Sequence, residues 1–444
     1  MTHDLKGHFE GIANFIFSEL RSGENAALSY SAEDSIFMRL NNCKVRQNGA
    51  VEQINAAMTL WKGAKTYSYS LALTGEIALD KERVSRAIGE ARATMPLLPN
   101  DPFQVIPEAK EKSDSRFKGK LLPHAEIPAR VLGPAEGLDF TGLYSQGQIY
   151  RGSANSRGAN HWFETETFLV DYSVWLPNGR AIKSSYAGSA FDDKEYAGRI
   201  ANARKGLADL QKPEKVLEPG RYRAFITPTA LSEIIIFFAW NGFGERGLRQ
   251  GESAYIALRE GRESFSPLFT LTQDFRLGVQ PAFNEVGELA PECLSLVEKG
   301  KMTGSIISSR TAKQYGLKAN GADEGEYVRT VSIESGNLAE ADALKALGTG
   351  VYVSNFHYTN WSDVQSARVT GMTRFSCLWV ENGQVAAPIK DMRWDDSLYN
   401  MFSEKLEALT KERELLVEAS TYEQRELGGA MVPGILVSGL NFTL

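Results

Sequence analysis

Five histidines and three cysteines are the side chains of this 444-residue chain best suited to metal or nucleophilic chemistry, and their spacing favours neither. His3 and His8 lie five apart at the N-terminus, while His124, His161 and His357 stand singly. No pair in the second half is four or five apart within a helical segment, so a self-contained zinc site is not expected and the histidines read as surface residues. Cys43, Cys293 and Cys377 match no metal knuckle and no disulfide framework, and read as reduced thiols. There is no GxxxxGK[ST] phosphate loop and no GxSxG elbow. The glycines of NGFGERG follow a helical segment instead of opening one after a strand, which argues against a dinucleotide site. Two places remain. His357, Asp363, Arg374 and Cys377 are close enough in sequence to meet across a hairpin and form a rebuilt hydrolase site. Such spacing also arises by chance, and Cys377, with no histidine near it in sequence, reads first as a core residue. Glu233, a single carboxylate inside LSEIIIFFAW, reads as a helix-edge residue or a subunit contact before any catalytic role.

The elements that must position these residues are legible in outline. Phe9, Ile12, Phe15, Ile16 and Leu20 share one face of an N-terminal helix. Strands are expected at Ala26–Tyr30 and Ser35–Leu40, separated by a turn-like SAED, then at Val51–Trp61 and Lys65–Leu73 around Lys62-Gly63. A helix follows with Asp80 as its expected N-cap, Glu82 in its first turn and Arg92 in its last. A second meander covers Gly147–Gly152, Glu164–Trp175 and Arg180–Tyr186, with a hairpin turn at Pro177-Asn178-Gly179. The helix after it repeats Asp80, Lys81, Glu82 and Arg86 as Asp193, Lys194, Glu195 and Arg199, which suggests a duplicated strand-helix unit. Pro96–Pro134 reads as a surface excursion and Gln211–Gly220 as a domain boundary, giving an N-terminal α+β domain over 1–213 and a β-rich domain over 214–444. Beyond the boundary come a strand Tyr222–Thr227 and the apolar helix opened by Pro228. A buried strand Arg374–Val380, an Asn382-Gly383 hairpin, a long charged helix Asp396–Arg425 and a closing strand Pro433–Thr443 follow. Meanders grouped with helices favour an α+β fold of antiparallel strands.

Composition narrows the function class. The formal charge is −6, with no basic cluster, so nucleic acid is not an expected partner. The longest apolar run, Ile234 to Trp240, is too short to span a membrane. The N-terminus mixes acids and histidines into an amphipathic pattern unlike a signal peptide, so a cytoplasmic protein is expected.

The second half also carries a family resemblance. RVTGMTRFSCLWVENGQVAAPIKDMRWDDSLYNMF (368–402) resembles the C-terminal segment of the TldD/PmbA family, with its TGM-TR run, strand, E-N-G turn and apolar-Pro continuation. YVSNFHYTNWSDVQ, GESAYIALREGRESFSPLFTLTQDF and the closing VPGILVSGLNFTL resemble neighbouring family segments, and FMRLNNCKVRQNGAVEQ resembles an early one more loosely. In the TldD branch a helix carries HExxxH, whose histidines hold zinc while its glutamate activates water, and a later cysteine segment completes the site. Here the resemblance puts Ser232 and Phe237 at the two histidine positions beside Glu233, and ASTYEQRELGGAMVP, which has no cysteine, at the later segment. It therefore implies a PmbA (TldE)-type subunit with no metal of its own, partnered with a zinc-bearing TldD-type subunit or with itself. Family members of this pair degrade unstructured peptides, trim leaders from modified peptides and are linked to control of DNA gyrase. A stand-alone hydrolase using His357, Asp363, Arg374 and Cys377, or a homodimeric peptide-binding scaffold, are the alternatives.

Overall fold

Apolar and polar residues alternate through Glu24–Asn41, with Ala26, Leu28, Tyr30 and Ala32 on one face and Ser29, Ser31, Glu33 and Ser35 on the other. In the computed structural model, which describes residues 4–240 and 242–443, this segment is a single strand. It is β1 (Glu24–Asn41), preceded by α1 (Leu5–Ser18) and followed by β2 (Lys44–Lys62), β3 (Lys65–Leu73) and α2 (Ile77–Thr94). The turn expected at SAED does not form, because β2 pairs without interruption from Ser31↔Asn55 to Asp34↔Glu52 and every backbone group there finds a ladder partner.

The helix after β3 starts one turn earlier than expected. Asp80 is not its N-cap but a fully buried residue within it. Its carboxylate accepts from the backbone N–H groups of Thr74 and Gly75 at 2.9 Å and bonds the His8 ring at 3.1 Å. His8 is thus buried, against the expectation of a surface histidine, and His3 lies outside the described residues.

The excursion after α2 is structured in part. β4 (Lys112–Phe117) adds an edge strand, and α3 (Ile127–Leu132) buries Ile127 and Val131. The second meander follows as β5 (Asp139–Asn155), β6 (Asn160–Trp175), β7 (Ala181–Gly188) and α4 (Asp193–Leu210). All seven strands form one sheet in which β1 and β5 pair antiparallel at the centre, so that β3-β2-β1 and β5-β6-β7 are adjacent meanders. Lys44, Lys65 and Ile77 open β2, β3 and α2, and Asn160, Ala181 and Asp193 open β6, β7 and α4, each 116 residues later. The fold repeats the unit, but the matched Asp80 and Asp193 are one helical turn out of step within it.

The second half builds a 13-stranded sheet. Its elements begin with β8 (Gly220–Ile226), α5 (Pro228–Ala239), α6 (Glu245–Gln250), α7 (Ile256–Arg259), β9 (Leu271–Asp274), β10 (Cys293–Glu298), β11 (Lys301–Met302) and α8 (Ser309–Tyr315). Next come β12 (Thr330–Ile333), α9 (Ala343–Leu347), β13 (Gly350–Val353), β14 (Phe356–Asp363), β15 (Arg368–Thr373), β16 (Leu378–Glu381) and β17 (Gln384–Pro388). The last are β18 (Arg393–Ser397), α10 (Leu398–Phe402), β19 (Leu406–Val417) and β20 (Gly429–Phe442). The closing β20 is the hub and pairs with β8, β12, β18 and β19.

Two expectations fail here. Of the charged segment expected as a helix over Asp396–Arg425, only Leu398–Phe402 is helical, and its central stretch is β19, which pairs with β20 from Leu406↔Val437 to Val417↔Gly429. Helix propensity in LEALTKERELL loses to a ladder that also buries Leu406, Leu409 and Thr410. The strand expected over Arg374–Val380 starts only at Leu378, because Phe375 takes a left-handed backbone (φ 65°) that breaks the extended run. The Asn382-Gly383 turn is present, with φ of 50° and 76°, and joins β16 to β17. Among the described residues, no helix is long and apolar enough to cross a membrane.

Candidate functional site

The helix α5 leaves β8 through Thr227, whose hydroxyl caps the N–H of Ala230 at 3.1 Å, with Pro228 at the first helical position. Leu231, Ile234, Ile235, Phe237 and Phe238 bury one face in the core of the second half. That packing fixes where the three expected site residues point. Phe237 is 1% exposed and meets the Trp361 ring edge-on at 4.8 Å. Ser232 is half-buried and donates its hydroxyl proton to the Thr229 carbonyl at 2.7 Å. Glu233 faces outward with Ile236 and Trp240.

Glu233 is open to solvent on one side and crowded on the others. Partial burial raises its pKa, the Lys183 ammonium opposes that rise, and the Glu418 and Asp171 carboxylates add to it. Lys183 is itself paired with Asp171 at 2.7 Å across β6 and β7. The group thus stands where α5 approaches the first sheet. Sequence could not have found these neighbours, since they come from other strands and from the segment beyond β19.

The donors at this position do not fit zinc. Phe237 has no lone pair and is locked in the core, the Ser232 hydroxyl is neutral and already bonded, and one carboxylate cannot hold the ion. Among the described residues, no group of three His, Cys, Asp or Glu side chains is placed to hold a metal ion. The later segment, 419–433, instead sends Arg425 toward the first sheet, where its guanidinium donates to Thr167 Oγ1 at 2.6 Å and to the Thr167 carbonyl at 3.1 Å.

The alternative cluster is not assembled. His357 pairs opposite Met372 near one end of the β14–β15 hairpin, and Asp363 pairs opposite Arg368 near the other. They stand six positions apart along β14, a span of roughly 20 Å. Asp363 accepts from the neighbouring Ser366 hydroxyl and from the Gln365 N–H at 3.1 Å. The buried Cys377 thiol touches the Arg374 carbonyl at 3.4 Å and the Ser354 hydroxyl at 3.8 Å, and burial raises its pKa, the reverse of what a nucleophile needs. His357 and Arg374 do come together electrostatically. Burial and the Arg374 charge lower the His357 pKa, opposed by Asp391, whose own pKa burial raises. Asp391 was not singled out in the sequence, because the contact joins separate turns of chain.

The remaining histidines are structural or peripheral. His161, expected at the surface, is fully buried, bonded to the Ser113 hydroxyl at 2.8 Å and the Gly287 carbonyl at 3.2 Å, and stacked on Phe283. His124 is exposed.

Residues 219–444, over half of the chain, match the family model described as the PmbA/TldA metallopeptidase C-terminal domain. Solved structures of the same fold include a candidate modulator of a DNA gyrase from Thermotoga maritima, 15% identical, with a TM-score of 0.77 over 98% of this chain and 100% of that one. They also include TldE from Thermococcus kodakarensis, 13% identical, with a TM-score of 0.77 over 98% of this chain and 100% of that one. A candidate modulator of DNA gyrase from Bacteroides thetaiotaomicron is 15% identical, with a TM-score of 0.76 and full coverage of both chains (100% and 100%). At these identities the likeness is one of fold. No curated protein sequence matches the chain. The matched C-terminal half, on a fold shared end to end with these structures, shows that the chain belongs to the TldD/PmbA family.

Proposed function

We propose that this chain is a metal-free PmbA/TldE-like subunit that completes a peptidase whose zinc is carried by a TldD-type partner, with unfolded peptides as substrates. The observation that carries this reading is the turn of α5 in which Ser232 and Phe237 flank Glu233, with Phe237 packed into the core where a ligand would have to face outward. A TldE among the structures of the same fold supports it. The outward face of α5 presents Ile236 and Trp240, 54% and 43% exposed, as an apolar contact for the partner. On this reading the chain divides at 213/214, a cut that would keep the strands of each sheet on one side of it, and the three free cysteines are in keeping with a reducing cytoplasm.

The test is to purify the chain alone and co-expressed with a TldD-type subunit, then measure zinc and cleavage of an unstructured peptide. One zinc per pair, with cleavage only by the pair, is the expected result. Stoichiometric zinc and cleavage by the chain alone would refute the proposal.

A further inference from the structure

A groove of about 730 Å³ runs between the first sheet and the loops of the second half, within the size range of small-ligand clefts. Its floor is the face of the first sheet turned away from α1 and α2. Strand register arranges that floor in rows: Ser31 stands between Arg151 on β5 and Asn55 on β2, and Ser29 stands between Ser153 and Ala57. The next positions outward, Ala72 and Ser70 on β3, complete a floor four strands wide. Three strand spacings of about 4.8 Å give roughly 14 Å, the length of about four extended residues.

The floor is polar, its side chains other than Arg151 are short, and its donors are underused. Ser153 is 1% exposed, and its hydroxyl has no hydrogen-bond partner among the described residues. A buried hydroxyl of this kind ordinarily finds a partner. The Arg151 guanidinium makes one protein hydrogen bond among the described residues, to the Tyr150 carbonyl at 2.9 Å, and burial lowers its pKa. It therefore has N–H donors free for a ligand carbonyl.

The opposite wall is acidic. Arg329 braces it by donating to the carbonyls of Phe283 at 2.8 Å and Gly321 at 3.2 Å, and lies 3.5 Å from Asp323. Glu285 keeps part of its side chain in solvent and has no cation within ion-pair distance among the described residues; the partial loss of water around it, and then Asp323 and Glu324, raise its pKa. A positive ligand group would relieve that repulsion, and a polyanion would worsen it. Among the described residues the groove offers no aromatic face for stacking a sugar or base, because the wall's Phe283 is buried against His161.

From the orphaned Ser153 hydroxyl, the spare donors of Arg151 and the unpaired Glu285, we infer that this groove holds an extended peptide segment of about four residues carrying a basic side chain. Arg151 and Ser153 donate to its backbone carbonyls, and Glu285 pairs with its cation. The substrate class rests on the peptide reading above; the location and charge preference go beyond it. Recognition here uses side chains on a sheet face, so it needs no free strand edge.

The test uses the full chain and a fluorescently labelled, unstructured lysine-containing peptide, compared with the same peptide carrying Glu for Lys, by anisotropy. The lysine peptide is expected to bind at least tenfold more tightly, with an advantage that shrinks as salt is added. Glu285→Lys, a change at an exposed position, should remove that preference. Ala57→Trp, which fills the floor, should abolish binding of both peptides. Equal binding of the two peptides, binding indifferent to Glu285→Lys, or no binding by wild type would each overturn the inference; should Ala57→Trp misfold, the Glu285 variant decides alone. Partner stimulation is measured separately. Stimulation without peptide binding removes the groove and leaves the subunit reading, and binding without stimulation does the reverse.

Discussion

Glu233 is the single carboxylate on α5 and lies on its outward face. Its carboxyl has a raised pKa, so the stability it contributes is present below its ordinary value of 4.5 and is lost as pH rises through the folded value. Glu233→Gln is therefore expected to raise the melting temperature slightly at pH 7 and not at pH 4, with partner-dependent cleavage unchanged. Loss of cleavage in that variant would return Glu233 to the chemistry. His161 works with the opposite sign in acid. Burial lowers its pKa below 6.5, so stability is full above that value and falls as the unfolded chain takes up the proton that the folded one refuses. His161→Gln keeps an amide for Ser113 and Gly287 and should lose less melting temperature than wild type between pH 7 and pH 5.

At the scale of elements, β19 shows how an irregularity is held in place. Its ladder with β20 shifts register between Leu409 and Arg413, and the buried Thr410 hydroxyl fills the gap by accepting the Gly434 N–H at 2.8 Å and donating to the Glu412 carbonyl at 2.7 Å. Thr410→Val keeps the shape and leaves the Gly434 N–H without a partner, so denaturant unfolding should show a loss of about 1–3 kcal/mol. A loss near zero would mean that water or another acceptor replaces the hydroxyl. The α5 helix is the reverse case: Pro228 marks its start in the sequence, but composition does not mark its buried face, since Ile236 in the middle of the apolar run is 54% exposed.

Across the whole molecule, the segment beyond β19 ties the two sheets together. Arg425 donates to Thr167 on β6 and to Ser35 on β1, its backbone N–H is held by Glu33 at 3.2 Å, and burial pushes its pKa down to about 10. Arg425→Ala should cost about 2–3 kcal/mol in urea unfolding. It should also speed limited proteolysis between Val417 and Gly429, because the segment loses its anchor while both sheets keep their ladders. Unchanged proteolysis would assign the anchoring to other contacts between the halves, such as Arg310 with Asp101.

The periods of two and 3.6 in the side-chain pattern determined α1, the meanders, β3 to its end residues and the Asn382-Gly383 turn, because each of these is settled by neighbours in the chain. The residue types in SEIIIF likewise fix what that turn of helix can offer, one hydroxyl and one carboxylate among apolar side chains. Only the tertiary structure decided that β1 runs unbroken, that LEALTKERELLV is a strand, and that His8 and His161 are buried, since long-range pairing and packing outweigh local preference there. It alone separated His357 from Asp363, set Lys183, Asp171 and Glu418 around Glu233, and enclosed the Ser153 groove, because each depends on residues far apart in the chain.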